Sequence, residues 1–305
     1  MKTQNPAKTT GQLNRETGVA LVLVLWVLTL LGIIATSFSK SMRTETELAR
    51  QLTLSAQARA LAEAGIYRGI LDLLRFRRDP QAKWQANGTV YKVMKLGRGE
   101  IRIAIQDEAG RIDLNKAQKP LIEELLRGVG VDDQARDAIV DAIIDWRDPN
   151  NLRQLQGAED EDYQAAGRSY GAKDHDFNCV EELQQVLGMT PALYRKLAPL
   201  LTVHSHRPNV DINLAPPALV QVLEASEAAQ AGVEPTNLGA PASNRDPSRP
   251  DFSPPRGGLR SSGGSTFTLR AYAKVYDTLA EIAATIKLGG DRDQPYSVIA
   301  WNEWK

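Results

Sequence analysis

The sequence predicts an α+β chain: one long N-terminal helix, an antiparallel sheet, and a large α-helical domain inserted between the sheet strands. Three observations lead there. An apolar block beginning at Val19 passes without proline into helix-forming residues that run to about Arg77. Alternating apolar and polar residues occur near 89–106 and again near 266–301. Between those groups, residues 113–222 change to helical spacing.

The N-terminal element comes first. Residues 1–17 are polar, with Lys2, Lys8 and Arg15 against one acid, Glu16. Val19–Ala35 then carries no charge, and Thr36–Phe38 extends the stretch to 20 residues. As a helix that is about 30 Å, one hydrocarbon core. The basic leader should remain cytoplasmic and place the rest of the chain across the membrane. A secretory signal cut near Ser37 or Ser39, a plain signal anchor, and a signal cut at the polar–apolar boundary after Gly18 all fit so far. The continuation favours the last. No proline occurs between Pro6 and Pro80, and Ser37–Phe76 is rich in Ala, Leu, Arg, Glu and Gln. Leu54, Ala58, Leu61 and Gly65 keep helical spacing, as do Ile66, Ile70 and Leu73. One helix from Val19 would be roughly 85–90 Å long.

Thr89–Lys95 and Glu100–Gln106 read as strands joined by a turn at Gly97-Arg98-Gly99. Thr266–Val275 alternates again, with Leu279–Leu288 as its hairpin partner across Asp277-Thr278 and Tyr296–Trp301 as a last strand. Helices are expected at Pro120–Arg127, Asp133–Arg147, Val180–Leu187, Pro191–Thr202 and Pro216–Ala225. Asp113–Ala117 (DLNKA) and Asp211–Ala215 (DINLA) echo one another, which suggests equivalent helix-entry turns with Asn or Asp as caps. Ser226–Ser265 is rich in Pro, Gly and Ser and reads as a loop. The expected organisation is therefore a leader at 1–18, the helix at 19–79, first strands at 80–108, the insert at 109–225, the loop at 226–265 and last strands at 266–305.

Composition excludes little. Lys plus Arg and Asp plus Glu both number 37 in 305 residues, so bulk charge gives no argument for nucleic acid or an acidic partner. Cys179 is the only cysteine, so no internal disulfide can form. It is expected to be a small buried core residue whose acidic neighbours Asp174 and Asp176 raise its pKa, which argues against a nucleophile.

Gly128-Val-Gly130 and Leu187-Gly-Met-Thr190 resemble helix-hairpin-helix turns, which in DNA-binding proteins offer N–H groups to phosphate. From Lys119 to Asp145, however, three bases face seven acids, which repels DNA. The hairpins are expected to pack helices, and no nucleic-acid partner is expected. From Asp145 to Glu182 ten acids face four bases, a set of hard oxygen ligands that suits calcium rather than zinc. Asp174, Asp176 and Asn178 begin like an EF-hand loop, but Cys179 and Gln185 stand where Gly and Glu belong, so no EF-hand is read. His204 and His206 read as loop histidines; Trp301 and Trp304 read as sheet packing or a C-terminal contact. No nucleophile–base pair appears, and no catalysis is expected.

Residues 18–32, GVALVLVLWVLTLLG, resemble the prepilin signal of the type IV pilin-like superfamily. The series DEAGRIDLNKA (107–117), IDWRDPN (144–150), GAED (157–160), LGMTPALYRKLAP (187–199) and DINLAP (211–216) resembles the minor pseudopilin K family of type II secretion. This resemblance implies a pilin-like fold with an α-domain inserted in the sheet, anchored in the inner membrane with its C-terminal domains in the periplasm. It implies cleavage after Gly18 and N-methylation of Val19 by the prepilin peptidase, and assembly with minor pseudopilins I and J and the major pseudopilin. It also implies calcium bound by acidic loops, which falls here on Asp145, Asp148, Asn150, Glu159 and Asp160. Leu23 stands where most pilins carry a Glu that neutralises a neighbour's terminal amine. Its loss implies a place at the tip of the pseudopilus. A type IV pilus minor pilin, or a membrane-tethered DNA-uptake protein using the hairpins, are the alternative readings.

Overall fold

The computed structural model describes residues 16–76, 86–230, 264–289 and 294–304. The chain divides into two units at Gln57 and Ala58. Helix α1, Glu16–Phe76, contributes to both. Its part in the first unit exposes the apolar side chains from Val19 to Phe38, and α1 is the single described helix long and apolar enough to cross a membrane. The leader lies outside the described residues, apart from its last three, Glu16–Gly18, which open α1.

In the second unit α1 buries one stripe: Ala58, Ala62, Ile66, Ile70 and Leu73. The stripe packs on a five-stranded antiparallel sheet of β1 (Asn87–Leu96), β2 (Gly99–Asp107), β5 (Thr266–Val275), β6 (Thr278–Leu288) and β7 (Tyr296–Trp304), in the order β1-β2-β5-β6-β7. Ile103, Ile105, Leu269, Ala271, Ile282, Ala284 and Ile286 face the helix and are almost fully buried. Gly65 and Gly69, one turn apart, allow this approach. A Cβ on Gly65 would lie 2.8 Å from the Ala271 Cβ and 2.8 Å from the Ile101 Cγ2. Gly65→Leu is therefore expected to cost about 3 kcal/mol despite leucine's better helix propensity. An unchanged Tm would show that α1 does not seat here. Asp72 adds a polar tie, accepting from Lys92 Nζ (2.7 Å), Tyr91 Oη (3.1 Å) and Arg68 Nε (3.2 Å). Burial alone would raise the Asp72 pKa, but the Lys92 and Arg68 contacts hold it below the usual value.

Strand boundaries differ slightly from expectation. The β5–β6 turn is at Tyr276-Asp277, one residue early, with Tyr276 at φ 53°. The last strand continues to Trp304; Trp301 packs against the sheet core and Trp304 is exposed.

Between the paired neighbours β2 and β5 the chain forms a second core. Its elements are β3 (Ile112–Asp113), α2 (Lys119–Gly128), α3 (Asp133–Arg147), α4 (Asp160–Ala165), α5 (Pro191–Leu197), β4 (Leu201–Thr202) and α6 (Pro217–Gln230). Three expectations are corrected here. The helix expected to reach Thr202 stops at Leu197, because Pro199 carries no N–H; a 3-10 turn comes next, and β4 pairs in parallel with β3. Val180–Gln185 is a 3-10 rather than an α-helix. The loop expected from Ser226 begins later: Ala-rich Ser226–Gln230 completes α6, while 231–263 lies outside the described residues. Residues 77–85, taken as helix end and strand approach, also lie outside them.

The DLNKA and DINLA echo has a structural counterpart. Asn115 N–H donates to Asp113 Oδ1 at 2.9 Å, and Asn213 N–H to Asp211 Oδ1 at 3.1 Å. Each Asp precedes its helix, α2 or α6, by the same interval. Neither Asp caps that helix: Gln118 occupies the α2 N-cap without a side-chain bond, so the capping expectation is corrected to an Asx turn. The second turn is tied to the residues around the end of β2. Asp211 N–H donates to Ala109 O (2.9 Å) and Gln106 Nε2 to Leu214 O (2.9 Å), joining the start of the insert to its second echo.

Candidate metal centre

The acidic stretch is positioned by α3. Asp132 caps it, accepting from Ala135 N–H at 3.0 Å, and Ile139, Val140, Ile143 and Trp146 bury its inner face. Asp145 lies in that same buried face and has 0% exposure. Its carboxylate accepts from Gln154 N–H at 3.1 Å. Burial pushes its pKa up to about 6, opposed by backbone donors at Gln154 and Ala158 and reinforced by Asp148 and Asp141.

Glu159, at the start of α4, is 7% exposed, and neither of its carboxylate oxygens has a hydrogen-bond partner. Its pKa is pushed up to about 7, first by burial and then by Asp145, Asp174, Asp148 and Asp160. Asp174, in the left-handed region at φ 54°, also has an unpartnered buried oxygen. Burial raises its pKa, with Asp160 and Asp148 adding to the effect. The backbone makes room for these groups. A Cβ on Gly157 would overlap the Asp145 carboxylate, and one on Gly171 would overlap that of Asp160.

The neighbouring cations are engaged elsewhere. Lys119 pairs with Asp141 (2.5 Å), Arg153 with Asp162 (2.9 Å) and Lys173 with Glu182 (2.7 Å). Arg147 donates to the carbonyls of Leu114 and Ala117. Among the described residues, no ion pair reaches Asp145, Asp148, Glu159, Asp160 or Asp174. The result is a partly buried anionic cluster that no ion pair neutralises, with the Arg147 charge acting only on Asp148 among its members; its donor set is hard oxygen. Among the described residues no three His, Cys, Asp or Glu side chains already converge to hold a metal ion. The chemistry fits a calcium ion, and its ligands would have to draw closer to bind one.

Asp145, Asp148, Glu159 and Asp160, singled out from the sequence, influence one another here. Asn150 stands apart: it is exposed, and its side chain is used within the loop, donating to Asp148 (2.7 Å) and accepting from Leu152 N–H (2.9 Å). Sequence reasoning misses Asp174. Its signal is the Asp174, Asp176, Asn178 run, which the failed EF-hand pattern disguises. Cys179 is exposed, not buried as expected, because it precedes the surface 3-10 turn. Its thiol pKa is raised by partial burial, by a bond to Glu181 and by the charges of Glu181 and Glu182, rather than by Asp174 and Asp176. His204 and His206 lie in a bend, where His206 N–H donates to the buried Asp113 (2.7 Å).

The first hairpin turn packs helices. N–H groups of Val129, Gly130 and Val131 donate to the carbonyls of Leu125, Arg127 and Leu126, so they are engaged within the turn. Gly188 of the second turn is at φ 82° against Ile139.

The family model for type II secretion system (T2SS) protein K matches residues 102–206. The type II secretion system protein K of Pseudomonas aeruginosa is 26% identical over 231 residues, covering 68% of each chain. That of Aeromonas hydrophila is 27% identical, covering 69% of this chain and 71% of the relative. Among solved structures, a chain of the GspK-GspI-GspJ complex from the enterotoxigenic Escherichia coli type 2 secretion system matches with a TM-score of 0.53 at 18% identity. The match covers 87% of this chain and 99% of that one, and at this identity it speaks for the fold. Matched domain and relatives agree: residues 102–206 match the type II secretion system protein K model, and the chain is similar to proteins of that name over about two thirds of its length.

Proposed function

We propose that the chain is the minor pseudopilin that caps the tip of a periplasmic pseudopilus and helps to start its assembly, in a complex with minor pseudopilins I and J. The observation that carries this reading is the second core built between β2 and β5. A filament shaft packs subunit helices closely, and a bulky insert is best accommodated where no further subunit stacks. Leu23 supports the same place, because a subunit without a carboxylate there lacks the group that neutralises a neighbour's amine inside an apolar core. The apolar part of α1 is the anchor, with the leader cytoplasmic and the remainder periplasmic. The prepilin peptidase cuts after Gly18 and methylates Val19. The role is structural, without catalysis.

Calcium belongs to this reading as a structural ion. Asp145, Asp148, Glu159, Asp160 and Asp174 would hold it, and it would supply the ion pairing that their cluster lacks.

The test is the mature N-terminus. Mass spectrometry of the full chain from a secreting host should find N-methyl-Val19, and Gly18→Val should leave the leader attached and secretion reduced at least tenfold. A terminus near Ser39, or an uncut chain that still supports secretion, would overturn the assignment.

A further inference from the structure

The loop joining α3 to α4 displays two leucines to water. Leu155 is 91% exposed and Leu152 77% exposed, more than any apolar side chain of the membrane segment in α1. Slack in the backbone does not explain this, because the loop is anchored along its length. Leu152 N–H donates to Asn150 Oδ1 (2.9 Å), Gln154 N–H to Asp145 (3.1 Å), Gln156 N–H to Asp141 Oδ2 (3.1 Å), and Arg153 pairs with Asp162 (2.9 Å). A backbone held by buried carboxylates thus presents two large apolar groups that none of the described residues covers. Ordering has already been met by the free chain, which favours association.

We propose that this loop is a docking knob for a folded protein partner that offers an apolar cleft rimmed by lysine or arginine side chains. The surroundings decide the partner's chemistry. Asp148 precedes the loop and Asp160, Glu161 and Asp162 follow it, whereas Arg153 is paired with Asp162 and Arg147 is spent on the carbonyls of Leu114 and Ala117. That acidity is repelled by anionic lipid headgroups, so a membrane surface is a poor occupant. A second copy meeting loop to loop would bring two acidic rims together. A basic rim around an apolar cleft satisfies both the leucines and the charge. The inference needs neither the tip location nor the calcium ion, because the leucines and the bonds that hold them stand without either.

The test uses the full chain in a secretion-competent host. Photo-reactive benzoylphenylalanine is placed at 152, at 155, or at exposed Leu279 as a control. The expected result is one protein adduct shared by positions 152 and 155 and absent from 279, with the crosslinked peptide mapping to a cleft bearing basic residues. The purified partner should bind the full chain, and Leu152→Ser and Leu155→Ser should each weaken binding about tenfold or more. Glu161→Lys should weaken it further as rim attraction is lost. Both leucine variants should keep the wild-type Tm, since their side chains are already in water. Adducts to lipid or to a second copy of the chain, no adduct, binding indifferent to the serine changes, or a marked loss of Tm would each overturn the proposal. Because the readout is binding, it is separable from failure of the pseudopilus assignment, which the mature N-terminus reports.

Discussion

Glu159→Gln is expected to stabilise the metal-free chain at pH 8 and to abolish its response to calcium. In the wild type, Glu159 is buried with unpartnered oxygens and repelled by Asp145, Asp174, Asp148 and Asp160. Its pKa of about 7 lies above the unfolded value near 4.5. A carboxyl group shifted in this direction contributes stability that is complete below the unfolded pKa and lost as pH rises through the folded one. Asp145, at about 6, acts with the same sign. In chelator, Tm should therefore fall between about pH 5 and pH 8, with Glu159 responsible for on the order of 2–3 kcal/mol. Glutamine keeps the shape, removes the charge, and lets its NH2 donate to neighbouring carboxylates, so the gain outweighs the cost of burying an amide. The variant should melt about 4–8 °C higher than wild type at pH 8 in chelator. Asp107, with a pKa also near 6, contributes a slope of the same sign, so the difference between variant and wild type isolates Glu159. Calcium should raise the wild-type Tm and leave the variant's unchanged. A variant that is less stable in chelator yet still responds to calcium would sink the metal-centre reading.

How far the sequence reaches depends on the range of the forces involved. The long helix is legible because residues 19–76 carry their signal locally, in apolar content and in the spacing of Ala58, Ile66, Ile70 and Leu73. Strand alternation at 101–105 and 267–275 is equally local, and the change of period between them reveals the insert. Less legible are features made by distant partners. The two-residue strands β3 and β4 are defined only by their pairing, Ile112 with Leu201, and neither has a pattern of its own. Asp174 belongs with Asp145 and Glu159 only because the fold brings residues 145–174 to one place. Asn150 reads as an oxygen ligand in a linear motif, whereas its amide is spent closing the loop. Cys179 illustrates the converse error: a residue type that is buried on average lies here at the exposed entry to a turn.

Gly128→Val is expected to collapse the inserted domain, whereas Gly130, two residues on, should tolerate substitution far better. Gly128 ends α2, and a Cβ there would overlap the main-chain carbonyl of Val222 in α6 and lie 2.7 Å from the Val222 Cγ1. A side chain could rotate away; a helix backbone cannot. Separating α2 from α6 would open the core around Leu125, Leu126 and Leu219, each 2% exposed or less. The cost should be about 3 kcal/mol or more, at or beyond the top of the range for milder overpacking. Gly130 has a different constraint: φ is +86° and no atom lies within 4 Å of its added Cβ. Gly130→Asn should therefore cost about 1 kcal/mol or less, since Asn tolerates the left-handed region. The contrast also discriminates between roles for the turn. If its glycines served to bring phosphate to the backbone, both variants would lose affinity for DNA while stability changed little. With helix packing as the role, thermal unfolding and limited proteolysis of the full chain should rank wild type above Gly130→Asn and that variant well above Gly128→Val. Because α2 and α6 each come after one of the two Asx turns, loosening their crossing should expose cleavage sites at both turns together.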